Sequence, residues 1–123
     1  MMRSVTARNV YRLRSEEISE SAILSAVLIR LQYDRRVAWC ERMNTGAMAV
    51  GEGKTRRFVR FGFPGCSDII GMMKDGRFLA IEVKSRIGRA TEAQAAFLER
   101  VRANGGVSGI VRSVDDLESL LNG

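Results

Sequence analysis

Two apolar runs meet across a three-residue break, and this pair constrains the fold more than any other feature of the chain. Asp68-Ile69-Ile70-Gly71-Met72-Met73 precedes Lys74-Asp75-Gly76, and Arg77-Phe78-Leu79-Ala80-Ile81-Glu82-Val83-Lys84 follows it. Asp-Gly between β-prone apolar segments is a strong short-range signal of an antiparallel hairpin. Strand side chains alternate, so Glu82 and Lys84 project from one face and Ile81 and Val83 from the other. Charged groups are seldom buried unless they are paired or bound to a metal, so a Glu and a Lys leaving an apolar strand together need a reason. The place of Asp68 depends on the turn. A two-residue turn over Asp75-Gly76 sets Ile69 opposite Glu82 and points Asp68 the wrong way. A three-residue loop with a glycine bulge sets Asp68 opposite Glu82 instead. Either is permitted; the expectation is an arrangement that brings the two carboxylates within reach of one ion.

The rest of the chain supplies helices to cover such a sheet. Residues 1–14 are basic, with Arg3, Arg8, Arg12 and Arg14, and are expected to form an arm beside one domain over 15–123. A helix is predicted from Ser15, its N-cap, with Glu16 and Glu17 in the first turn, to about Tyr33. Its Ala22–Leu31 stretch is apolar on nearly every side and calls for burial on more than one face. Val37–Cys40 is a short strand. Residues 44–57 hold Gly46, Gly51 and Gly53 beside Lys54, Arg56 and Arg57, and are predicted to be a glycine-rich basic loop. Arg57–Phe61 is a further short strand, and Gly62-Phe63-Pro64-Gly65 a break. After the hairpin and a loop over Ser85–Ala90, a helix opens at Thr91 and ends at Asn104-Gly105-Gly106. Val107–Val111 is a last strand and Ser113–Leu121 a last helix, with Ser113 as N-cap. This order describes an α/β sandwich around a small mixed sheet.

Composition narrows the chemistry. The net charge of +6 comes mostly from arginine, which suits a polyanion gripped through its phosphates. The chain has no histidine. That excludes Ser-His-Asp triads, Cys-His pairs and histidine-metal sites, and most zinc sites with them. Cys40 and Cys66 lie in no CxxC motif and are read as free, small apolar residues. No run reaches the roughly 18 apolar residues of a membrane span, and the first residues lack a signal-peptide core, so a cytoplasmic protein is the default. Hydrolysis by such a chain must rely on carboxylates, lysine and a hard, oxygen-seeking cation. Asp68 and Glu82 are the candidate ligands of Mg²⁺, with Mn²⁺ able to replace it. Lys84 would orient the attacking water or stabilise developing charge. Together they suit phosphodiester hydrolysis.

These residues resemble the PD-(D/E)xK nucleases. More specifically, Gly65-Cys66-Ser67-Asp68, Glu82-Val83-Lys84 and Gln94 ten residues later resemble the VRR-NUC family, over about Glu20 to Val111. The resemblance implies a restriction-endonuclease-like sandwich and a magnesium-dependent nuclease. It implies metal binding by the Val83 carbonyl as well as by Asp68 and Glu82, and a role for a glutamate on the first helix. Glu20 fits best, in line with Leu24, Val27 and Leu31, although a first-turn helix acid is the plainer reading of it. Gln94 is open between the metal site and a capping box with Thr91. The Asn44-Thr45-Gly46 turn matches a family pattern beside the site. Asn44, Lys54, Arg56, Arg57, Arg86 and Arg89 are the candidate DNA contacts. The small size resembles stand-alone phage and bacterial members, which act as homodimers on branched DNA such as Holliday junctions. The alternatives are a duplex-cleaving or exonucleolytic relative and a non-enzymatic nucleic-acid-binding module.

Overall fold

A computed structural model describes residues 18–43 and 46–123. Its elements, in chain order, are α1 (Glu20–Gln32), β1 (Val37–Arg42), β2 (Gly46–Val50), a 3₁₀ turn (Gly53–Thr55), β3 (Arg57–Phe61), β4 (Ile69–Met73), β5 (Phe78–Val83), α2 (Glu92–Ala103), β6 (Val107–Val111) and α3 (Asp115–Leu121). Four strands form one sheet in the order β1-β4-β5-β6, antiparallel except for the parallel β5–β6 pair; β2 and β3 form a separate antiparallel ribbon. Parallel neighbours need a crossover, and α2 supplies it. This is the mixed α/β architecture of a small restriction-endonuclease-like fold.

The turn chemistry chose the hairpin register. Ile69 pairs with Ile81, Ile70 with Ala80, Gly71 with Leu79 and Met72 with Phe78. The connection is the three-residue loop Lys74-Asp75-Gly76, with hydrogen bonds from the Met73 N–H to the Arg77 carbonyl and from the Gly76 N–H to the Met73 carbonyl. Gly76 has φ 92°, the left-handed conformation that a glycine bulge requires. One further step of this register sets Asp68 opposite Glu82.

The central strand β5 is buried on both faces. Leu79, Ile81 and Val83 join Ile23, Leu24, Val27 and Leu31 of α1 and Leu117 and Leu121 of α3 in the main core. On the other face Ala80 packs against Phe97 and Leu98 of α2. Each large aliphatic side chain so buried contributes roughly 1.5–3 kcal/mol. At the corner after α1, the buried Asp34 carboxylate binds Arg36 at 2.8 Å and Arg30 at 3.1 Å, and Arg36 reaches Glu118 of α3 at 3.0 Å. The Arg36 hydrogen bond, the largest influence, holds the Asp34 carboxyl down at about 2.

Three expectations need correction. Within the described residues the first helix is capped by Ser19, whose hydroxyl accepts from the Ala22 N–H; Ser15, Glu16 and Glu17 lie outside them. Gly46–Val50, expected to lie in a loop, is instead a strand that forms a β-ribbon with the expected strand Arg57–Phe61, because backbone pairing between the two overrides the weak strand propensity of glycine and alanine. The last helix starts at Asp115, not beside Ser113. Val114 precedes it without a side-chain cap, and the Asp116 carboxylate reaches back to the Arg112 N–H.

Candidate active site

Asp68 stands just before β4, on a segment fixed at both ends. Gly65 has φ 85°, and a Cβ there would lie 2.4 Å from the Ala93 carbonyl oxygen, so only glycine lets this segment approach the first turn of α2 so closely. Ser67 is fully buried and its hydroxyl donates to the Ile69 carbonyl. The Asp68 carboxylate then accepts from the Val83 N–H at 2.8 Å, bridging β4 to the last residue of β5.

Glu82 is 2% exposed. Its Oε1 accepts from Gln94 Nε2 at 3.1 Å and lies 3.5 Å from Lys84 Nζ. Its Oε2 is buried without a hydrogen-bond partner among the described residues. Burial, then the neighbouring Asp68 charge, push the Glu82 carboxyl up to about 7, against the opposing pull of Lys84. Lys84, 13% exposed at its side chain, is the cation that faces this pair from the same strand. Two carboxylates and an ammonium thus share one end of the sheet, on the face that α2 covers.

Gln94 closes the capping box and also reaches Glu82. The Gln94 N–H donates to the Thr91 hydroxyl and its Oε1 accepts from the Thr91 N–H, closing the capping box. Its Nε2 is left to hold Glu82. Glu20 goes elsewhere: its carboxylate accepts from the Ser85 N–H at 3.3 Å, just beyond Lys84. Among the described residues no third Asp, Glu, His or Cys joins the Asp68–Glu82 pair as a metal-holding group.

Two residues at the site had no role assigned to them from the sequence. Cys66 is buried beside the carboxylates, and its thiol is raised by burial and then by the Glu82 and Asp68 charges. Arg112, just after β6, donates to the Ser85 carbonyl at 2.6 Å, the Gly88 carbonyl at 2.6 Å and the Arg86 carbonyl at 3.3 Å. It fixes the loop that leaves the site, and nothing local marks an arginine 28 positions after Lys84 as its anchor. Arg86 and Arg89 are exposed on this loop; Lys54, Arg56 and Arg57 are exposed at the far end of the ribbon; Asn44 lies outside the described residues.

A family model described as the VRR-NUC domain matches residues 18–115. The chain belongs to the VRR-NUC domain family. No curated protein gives a significant match. The VRR-NUC match runs from the residue before the cap of α1 to the first residue of α3, so it takes in Glu20, Asp68, Glu82, Lys84 and Gln94. It establishes a nuclease-type domain. No helix among the described residues is long and apolar enough to cross a membrane.

Proposed function

We propose that this VRR-NUC chain is a Mg²⁺-dependent DNA endonuclease, with Mn²⁺ able to substitute, that acts as a homodimer on branched DNA such as Holliday junctions. The observation that supports the metal dependence is the buried Oε2 of Glu82, which has no hydrogen-bond partner among the described residues and whose strand register sets a second carboxylate opposite. Burial of a charged oxygen with nothing to bind is costly, and a hard cation held by Asp68 and Glu82 relieves it. The donors are oxygens and few, which suits an ion that keeps much of its own water; the Val83 carbonyl is the proposed third. When bound, the ion supplies Lewis acidity to the phosphate and lowers the pKa of water. Lys84 orients the attacking water and stabilises charge developing on the phosphate. Gln94 holds Glu82 in its rotamer. Glu20 keeps the Ser85 end of the strand in place, and the basic residues Lys54, Arg56, Arg57, Arg86 and Arg89, with Asn44, contact the backbone of the substrate. One site cuts one strand, so paired cuts across a four-way junction call for a two-fold pair of subunits.

The test is cleavage of labelled linear, forked and four-way DNA by wild type and Lys84→Ala, with Mg²⁺, with Mn²⁺ and with chelator. Metal-dependent cutting is expected, and a loss of roughly 10²–10³-fold in Lys84→Ala with binding retained. Chelator-insensitive cutting, or an intact Lys84→Ala, would sink the catalytic assignment. Symmetric paired nicks on four-way DNA support the junction substrate. Sequence-dependent cutting of plain duplex supports the duplex-cleaving alternative, and binding without any cutting supports the non-enzymatic one.

A further inference from the structure

The ribbon β2–β3 stands apart from the four-stranded sheet, yet it is rooted at the site. β1 ends at Arg42, and the Met43 N–H donates to the Asp68 carbonyl at 2.7 Å. β2 begins three residues later, at Gly46, which pairs with Phe61 at the end of β3. From there the ribbon extends to Val50 and Arg57, about 14 Å at the usual strand rise. Its end is firmly built: the Thr55 N–H and hydroxyl both meet the Glu52 carbonyl, and the Arg56 N–H donates to the Gly53 carbonyl.

Near this end stands Phe58, 72% exposed, which is costly for an aromatic ring in water. The Arg56 guanidinium lies 6.0 Å from its ring centroid. Lys54 and Arg57 are also exposed at this end of the ribbon, Arg57 on the opposite face from Phe58 by strand alternation, and Glu52 is an exposed acidic residue of the same turn. An exposed ring with a guanidinium beside it, at a ribbon end rich in cations, fits a base stacked on the ring while phosphates meet the charges, since every nucleobase offers a π-face and the backbone is anionic. A paired duplex hides those faces within its own stack, so the ring can use only a base that is unpaired or pried loose.

We infer that Phe58, with Arg56, is a stacking platform for an unpaired nucleobase at a DNA branch point, and that the ribbon thereby makes the enzyme selective for branched over continuous duplex. The inference rests on the nuclease reading above for its substrate. Phe58 is a specificity residue rather than a catalytic one. It stands about three strand residues from the root of the ribbon, roughly 10 Å from it, so it grips the branch while the carboxylates meet a phosphate farther along the chain.

The experiment measures binding of wild type, Phe58→Ala, Phe58→Trp and Arg56→Gln to two DNAs in chelator at one fixed salt concentration. One is a fork carrying 2-aminopurine at the unpaired position beside the branch; the other is a continuous duplex. Wild type is expected to quench the 2-aminopurine and to prefer the fork. Phe58→Ala should abolish the quench and weaken fork binding roughly 5- to 100-fold, with duplex binding within about twofold. Phe58→Trp should restore both, and Arg56→Gln should weaken fork binding with the quench retained. A Phe58→Ala protein with wild-type quench and an unchanged fork-to-duplex ratio overturns the platform, as does wild type that binds neither DNA. Cleavage with Mg²⁺ is scored separately. Quenching by a protein that never cuts leaves the platform and removes the nuclease; cutting without quenching does the reverse.

Discussion

Glu82 is the residue at which the folded protein is least at ease. Its carboxyl is raised to about 7 by burial and by Asp68, above the ordinary 4.5. A carboxyl with a raised folded pKa favours folding while it is protonated, below about 4.5, and that contribution is lost as pH rises through about 7. In chelator, wild type should therefore lose melting temperature between pH 5 and pH 8, and Glu82→Gln should lose little. Millimolar Mg²⁺ should restore more stability at pH 8 than at pH 5, because the ion competes with the proton for the same oxygens. Calorimetric scans at the two pH values check both statements. Equal behaviour of wild type and Glu82→Gln would show that the carboxyl is not strained.

Among the elements, the loop after β5 depends most on one remote residue. Arg112 gathers three of its carbonyls and Glu20 takes the Ser85 N–H. Arg112→Ala should leave those carbonyls without their cation, at a cost of about 1–3 kcal/mol. Amide exchange at Ser85 and Gly88 should speed up well before that of β5, and cleavage should fall at least tenfold; exchange spread evenly over the sheet would contradict a local clamp. The same loop marks the limit of what the sequence discloses. β4, β5, α2 and β6 were legible because alternation, Asp-Gly, a capping box and Asn-Gly-Gly are local signals. Asp68, Glu82, Lys84 and Gln94 were legible as a motif. The register that sets Asp68 against Glu82 was open between two turns, and the bulge conformation of Gly76 decided it. Of the ribbon, Arg57–Phe61 was legible and its partner Gly46–Val50 was not, because a strand rich in Gly, Ala and Met carries almost no β-signal of its own. Arg112 was missed because its partners are 24 to 27 residues away, and only the parallel β5–β6 pairing brings them together.

For the molecule as a whole, the Asp34–Arg36–Glu118 cluster ties the α1–β1 corner to α3 and sets an acid limit. Asp34 is depressed to about 2 from an ordinary 3.8. A depressed carboxyl stabilises the fold above its unfolded value, and the contribution vanishes as pH falls through about 4 to about 2. Allowing for solvent screening, it is on the order of 1 kcal/mol. Urea midpoints for wild type should drop across this window more than those of Asp34→Asn, and parallel curves would refute the role. The parallel β5–β6 pair has a further consequence, for the route by which the chain folds. The β4–β5 hairpin joins near neighbours and can zip early, whereas β6 must wait for the whole α2 crossover to close a much longer loop. Until then the carboxylate at position 82 is still hydrated. It sheds its water only when the helix bearing Gln94 arrives, so the charged group that the fold tolerates least is enclosed among its last steps.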